Sequence, residues 1–324
     1  MASVETVNLP TIPGLGTLYA QGLAGAARNL VGLKAPTNSQ DLPNVVYQVT
    51  GVDTAKLGAH LRDYQELVHE APSDTLPSGY LHVLAFPLAM AVMVRPDFPL
   101  PLLGMVHLAN DASLYLPVKL GDELEVRAWA ENLRPHPKGT QVDLVGEVWV
   151  VQPDGAEPKL AWHGVSTYLA KGVEAEATGP DQTPGKAART DAKDNWKAPY
   201  PTGRWNLPGG TGREYGAISG DRNPIHLSAL SAKAFGFPRA IAHGMYTAAR
   251  ALAEVGPDRG DTYRWTVDFA KPVLLPGKVD VAITPMIDDN PLRAASSHKA
   301  VGYTYQGWNA KKNLRHFTGT VTPL

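Results

Sequence analysis

Hydrophobic and polar positions fall into two registers along the chain. Leu124, Val126, Ala128 and Ala130 alternate with Glu125, Arg127, Trp129 and Glu131, the period of a strand with one buried face. Residues 141–151 (QVDLVGEVWVV) and 160–170 (LAWHGVSTYLA) read as two further strands. Residues 264–269, 279–283, 300–306 and 315–321 play the same parts later in the chain. The longest apolar run covers residues 83–94. It is too short for a bilayer, which takes about 20 residues, and predicts a buried helix. Residues 17–31 (TLYAQGLAGAARNLV) are weakly amphipathic and rich in Ala and Gly, predicting a short helix packed on the body rather than on a membrane.

These elements occur in the same order twice. Ala85-Phe86-Pro87-Leu88 opens the first apolar run and Ala242-His243-Gly244-Met245 opens a second, with Pro87 against Gly244 an offset of 157 residues. Downstream, LPVKLG around Pro117 and KPVLLPG around Pro272 each precede an alternating strand, an offset of 155. Between the copies, residues 172–200 are poor in large aliphatics and rich in Pro, Gly, Ala and charge, as a linker is. The expected organisation is an N-terminal extension (1–38), a first domain (39–171), the linker (172–200) and a second domain (201–324). Each domain sets one apolar helix against a curved antiparallel sheet, an α+β fold.

Composition narrows the chemistry only by exclusion. Hydrophobic residues are 44% and charged residues 19% of the chain, ordinary for a soluble protein. A net charge of -1 gives no global attraction to nucleic acid or anionic lipid. The absence of cysteine excludes disulfides and cysteine–zinc sites, and fits a reducing, cytoplasmic setting. The first residues show no basic leader before an apolar run, so no signal peptide is expected.

One run concentrates polar chemistry: YGAISGDRNPIH, residues 215–226. Asn223-Pro224 is a helix start, with Asn as cap and Pro at the first helical position. Asp221 precedes the cap, within reach of backbone N–H groups, and His226 falls in the first turn. Helix-terminal amides would lower both pKa values, and a carboxylate beside an imidazole can exchange protons within one reaction. The same residues also read as a capped turn with an incidental histidine. The second feature is Gly244, whose amide at a helix start could hold an oxyanion, or which could simply be a packing glycine. The first half carries Pro87, without an N–H, at the aligned position and has no acid–Asn–Pro–His run in residues 74–84. An active half paired with a silent half would look like this. His82, His107 and His163 of the first half read as structural or surface residues.

SGDRNPIH (219–226), followed by FGFP (235–238), AHGM (242–245) and DFAKPVLLPG (268–277), resembles the signature of MaoC-type (R)-specific hydratases and dehydratases. FPLAM (86–90) and AENLR (130–134) are similar to the degenerate first half of two-domain members, the actinobacterial 3-hydroxyacyl-thioester dehydratases with a double hot dog fold. The resemblance covers about residues 40 to 324.

What the resemblance implies can be placed residue by residue. Asp221 and His226 match the catalytic dyad, Asn223 the residue that positions it, and Gly244 the oxyanion-hole amide, with His243 beside it as a substrate-positioning residue. The reaction is then reversible loss of water from an (R)-3-hydroxyacyl thioester to a trans-2-enoyl thioester in fatty-acid metabolism, with no metal or redox cofactor. His226 is assigned the Cα proton and Asp221 the hydroxyl or water, the reverse assignment staying open for a closely coupled pair. Some single-domain relatives carry a serine further along the central helix, in the region where Thr247 stands here. The substrate is an acyl thioester of coenzyme A or of acyl carrier protein, and Lys233, Arg239, Lys271 and Arg293 are candidates to meet a phosphate. Leu84, Leu88, Met90, Val92 and Met93 would line an acyl tunnel if they are not core. The chain would act as a pseudo-dimeric monomer or as a homodimer, without nucleic acid or a membrane span. Two other readings compete: an acyl-thioester hydrolase, whose carboxylate would sit on the central helix where only Glu254 is available, and a non-catalytic acyl-thioester binder.

Overall fold

The computed structural model describes residues 4–30, 41–102, 104–173, 196–287 and 300–324. The first half contains β1 (Glu5–Asn8), α1 (Leu15–Leu30), β2 (Val45–Asp53), α2 (Gly58–Val68), α3 (Ser78–Met93), β3 (Met105–Leu114), β4 (Glu123–His136), β5 (Gly139–Val150) and β6 (Lys159–Lys171). The second contains β7 (Gly203–Leu207), α4 (Thr211–Ser219), α5 (Pro224–Leu227), α6 (Ala229–Ala234), α7 (Gly244–Val255), β8 (Tyr263–Phe269), β9 (Gly277–Ile287), β10 (Ala300–Asn309) and β11 (Leu314–Pro323). Most of the expected linker, residues 174–195, lies outside the described residues, as does Arg293.

The strands form one sheet in the order β1-β2-β4-β5-β6-β3-β8-β11-β10-β9-β7. All neighbours are antiparallel except β1 on β2. The order is symmetric about the β3–β8 pair, so β4, β5 and β6 correspond to β9, β10 and β11. This is a double hot dog, with its two half-sheets fused edge to edge. The seam runs from Ala109 opposite Asp268 to Leu114 opposite Tyr263.

Each half-sheet curls around one helix. α3 has no polar face, and every one of its residues except Phe86 is buried. It packs against β2, β4 and β5, and a helix enclosed in this way needs no amphipathic pattern. Ser78 at its start accepts a 2.7 Å hydrogen bond from the Trp162 indole of β6. α7 lies across β8, β9 and β11 and keeps Arg250 and Glu254 on its outer side. No helix among the described residues is long and apolar enough to cross a membrane.

The second repeat landmark has a structural meaning, since Pro117 follows β3 and Pro272 follows β8, each before the strand that turns back. The first does not. α3 begins at Ser78, and Pro87 sits well inside it, whereas Gly244 is the first residue of α7. The helix starts to compare are therefore Ser78 and Gly244, and the first half has not lost a helix-start amide to proline. α3 is 16 residues long against 12 for α7, and its connection to the following strand is longer too, so an alignment anchored on the prolines after β3 and β8 sets the stretch around Pro87, not Ser78, opposite Gly244.

Candidate active site

The polar run folds as local chemistry dictates. α4 ends at Gly220 in the left-handed region (φ 75°), and the chain turns through Asp221 to the cap of α5. The Asn223 side chain accepts from the Ile225 amide at 3.3 Å, and Pro224 opens the helix. The Asn223 amide donates to Asp221 Oδ1 at 3.1 Å. This turn lies close against α4: a Cβ on Gly216 would come within 2.8 Å of the Asp221 carbonyl oxygen, and one on Gly212 would strike the His226 carbonyl.

Two histidines complete the cluster. His226, buried in α5, faces the Ile241 carbonyl with Nδ1 at 2.8 Å. A carbonyl only accepts, so Nδ1 carries the proton and Nε2 keeps its lone pair. His243, the residue before α7, donates from Nε2 to the Asp221 carbonyl at 2.9 Å, and that nitrogen lies 3.6 Å from Asp221 Oδ2. Its Nδ1 is buried without a protein partner. The two rings stack with centroids 3.6 Å apart and an interplanar angle of 24°.

Burial and then the neighbouring His243 hold the His226 pKa down at about 3, so it is a neutral base at neutral pH. Burial also lowers His243. For Asp221, burial pushes the pKa up, but His243, His226, the Tyr19 hydroxyl and the Asn223 amide outweigh it and hold the carboxyl below its usual range. The downward direction expected for both groups holds, but its largest cause for His226 is desolvation. α5 has four residues and little dipole to offer.

All five expected site residues, Asp221, Asn223, His226, His243 and Gly244, line one cavity of about 630 Å³. Gly244 is the first residue of α7, and a Cβ there would approach the Phe269 ring to 2.8 Å, so packing alone already favours glycine. Thr247 also lines the cavity, but its hydroxyl donates to the Gly244 carbonyl at 2.7 Å. Glu254 is not on the cavity wall; it accepts from the Trp205 indole at 2.7 Å and pairs with Arg250 at 3.2 Å.

The first half supplies the opposite wall, through His82, Val83, Phe86, Met90 and Met93 of α3, Met105 and His107 of β3, and Tyr168 of β6. His82 stacks on Phe86 and His107 on Tyr168, as a structural role expects, and both also line the cavity, whereas His163 is not among the lining residues. Burial pushes them to about 4 and about 3, respectively. The signal was present in the spacing: 82, 86, 90 and 93 share one helix face. Leu84, Leu88 and Val92 belong to the other face and do not reach the cavity; of the expected tunnel residues only Met90 and Met93 do. Lys271 lines the cavity along with Lys138 and Lys171, whereas Lys233 and Arg239 do not, and Arg239 donates to the Pro276 carbonyl.

Asp221, His226 and His243 present ligand atoms within 4.8 Å of one another, a spacing a cation could span. The stacked rings, however, send their in-plane lone pairs side by side rather than to one point, and His226 Nδ1 and His243 Nε2 are committed to carbonyls. The set is better suited to moving protons than to holding a metal.

Comparison with known proteins agrees with this geometry. Residues 209–305 match the MaoC like domain. The chain is 35% identical to the 3-hydroxyacyl-thioester dehydratase X of Mycobacterium tuberculosis over 258 residues, 79% of this chain and 86% of that one. The crystal structure of HtdX from that organism superposes with a TM-score of 0.67 at 31% identity, covering 86% of this chain and all of that one. A 73-residue stretch is 41% identical to a 3-hydroxybutyryl-CoA dehydratase of Methylorubrum extorquens, covering 21% of this chain and 46% of that protein. With this fold, and with identity to a MaoC relative along most of its length, the chain belongs to the MaoC-like family of hydro-lyases.

Proposed function

We propose that the protein interconverts (R)-3-hydroxyacyl and trans-2-enoyl thioesters, with Asp221 and His226 as its catalytic pair and the Gly244 amide as its oxyanion donor. The observation that carries this reading is the meeting of a neutral imidazole, an ionised carboxylate and a helix-start amide on one cavity that the first half lines with Val83, Phe86, Met90, Met93 and Met105 beside its polar groups. The thioester carbonyl would accept from the Gly244 N–H, which makes the Cα proton removable. His226 Nε2 takes that proton while Asp221 Oδ2 orients the 3-hydroxyl. The imidazolium then returns the proton to the departing hydroxyl, so water leaves and both groups recover their starting state. His243 fixes the Asp221 backbone, and Asn223 fixes both the carboxylate and the turn.

The acyl chain would lie along the Phe86–Met90–Met93 face of α3, and the phosphates of coenzyme A or a carrier-protein arm would meet Lys138, Lys171 or Lys271. Hydrolysis of the thioester finds no support, because the α7 carboxylate, Glu254, is bonded away from the cavity.

The test is hydration of a crotonyl thioester, followed as loss of enoyl absorbance. Asp221→Asn and His226→Ala should each lower kcat by about 10²- to 10⁴-fold with the fold intact. Full activity in both would remove the dyad, and release of free thiol would favour the hydrolase.

A further inference from the structure

The N-terminal extension enters the site. On α1, Leu15, Leu18 and Tyr19 share one face. Leu15 and Leu18 are 5% and 6% exposed, and the Leu15 side chain lies where a Cβ on Gly220 would be, within 2.9 Å. The helix is therefore seated on the turn that carries Asp221. From there the Tyr19 hydroxyl donates a short hydrogen bond to Asp221 Oδ1 across 202 positions of sequence. Tyr19 also lines the cavity.

We propose that Tyr19 is a positioning residue of the catalytic carboxylate: its hydroxyl fixes Oδ1 and leaves Oδ2 as the oxygen that meets substrate. The proposal rests on the dehydratase reading above. Oδ1 accepts twice, from Tyr19 and from the Asn223 amide, whereas Oδ2 accepts no hydrogen bond among the described residues, with His243 Nε2 lying 3.6 Å from it. Two donors on one oxygen hold the carboxylate plane, so the free oxygen points the same way in every turnover. Burial and the charge of Asp221 raise the Tyr19 pKa, so the phenol remains a donor across the working pH range. A tyrosine serves here where a lysine would not, because it ties the carboxylate without adding a charge that would oppose protonation of His226.

The groups that face Asp221 are His243 from the start of α7, His226 from α5, Tyr19 from α1, Tyr168 from β6, Tyr215 from α4, His82 from α3 and His107 from β3. Of these, Tyr19 bonds to the carboxylate, at Oδ1 beside the Asn223 amide, and Tyr19→Phe removes that donor while keeping the ring that packs α1. Its loss raises the Asp221 pKa.

The experiment compares the full chain with its Tyr19→Phe, Asp221→Asn and doubly substituted forms, with thermal unfolding as a fold control. Expected for Tyr19→Phe are a kcat about 10- to 100-fold lower, as for a lost bond to a charged group, a KM little changed, and an acid limb of the kcat profile moved to higher pH. The double variant should be no slower than Asp221→Asn alone, because Tyr19 acts through that carboxylate. An unshifted profile with losses that add in the double variant would make Tyr19 a packing residue and overturn the proposal, as would wild-type behaviour of Tyr19→Phe beside a dead Asp221→Asn. Full activity of Asp221→Asn would instead bring down the dehydratase dyad itself.

Discussion

At the scale of single residues, Gly244 has two explanations that a simple substitution would confuse. Its Cβ position is filled by Phe269, and its amide opens α7. A Phe269→Leu background separates them. Alanine at 244 then restores a Cβ and keeps the N–H, whereas proline restores a Cβ and removes it. Proline fits the first helical position, and His243 already has the extended backbone (φ −61°, ψ 137°) that a following proline demands. We expect Gly244→Pro to be about 10²- to 10³-fold slower than Gly244→Ala in kcat, the usual cost of an oxyanion donor. Equal rates in the two variants would leave Gly244 with packing alone. The grouping of Asp221, Asn223 and His226 was legible because their relations are local: a cap, a proline and a first turn fix them within six positions. Tyr19 was not, because its partner is 202 positions away and nothing in an Ala/Gly-rich helix says what its tyrosine will meet.

At the scale of elements, α3 divides into two faces with different duties. Met90 borders the cavity, whereas Leu88 is fully buried away from it. Met90→Trp should shift the preference towards shorter acyl chains, read as kcat/KM across a chain-length series. Leu88→Ala should leave that preference alone and cost about 2–5 kcal/mol of stability, read by denaturant unfolding. The opposite pattern would reverse the assignment of the faces. The alternating strands β4, β5, β6 and β8–β11 were readable from period two, and α3 from its unbroken apolar run. β1, β2 and β7 were not read as strands. β1 is four residues long and β7 five, and Val45–Asp53 does not alternate cleanly, with a register shift between Val49 and Val52. The Pro87–Gly244 alignment failed because an apolar helix carries no internal mark of its phase: with every face buried, the run does not reveal where the first turn begins.

For the molecule as a whole, buried neutral histidines set the response to acid. His82, His226, His243 and His316 are buried, His107 faces the cavity, and in all five burial is the largest cause of a lowered pKa. The unfolded chain takes up protons at these residues near pH 6.5, while the folded chain holds His82 neutral to about 4 and His107 and His226 to about 3. Unfolding is therefore coupled to proton uptake, and stability falls as pH drops below about 6.5. Each such group steepens the fall by up to about 1.4 kcal/mol per pH unit. The contribution of Asp221, whose pKa is lowered, is lost only at still lower pH. We expect the melting temperature to decline clearly between pH 6.5 and 4.5, and a flat profile from pH 7 to 5 would contradict this.

The seam between β3 and β8 has a further consequence, one of mass action. The first half lines the cavity with Tyr19, His82, His107 and Tyr168, and the second half with Asp221, His226 and His243. A second copy of a chain could supply such a wall only at a concentration above its dissociation constant. Here both walls belong to one polypeptide, joined by a continuous ladder from Ala109–Asp268 to Leu114–Tyr263. Bringing them together is a unimolecular event that dilution does not reverse. Each chain thus carries one complete set of these groups, whatever larger assembly it enters.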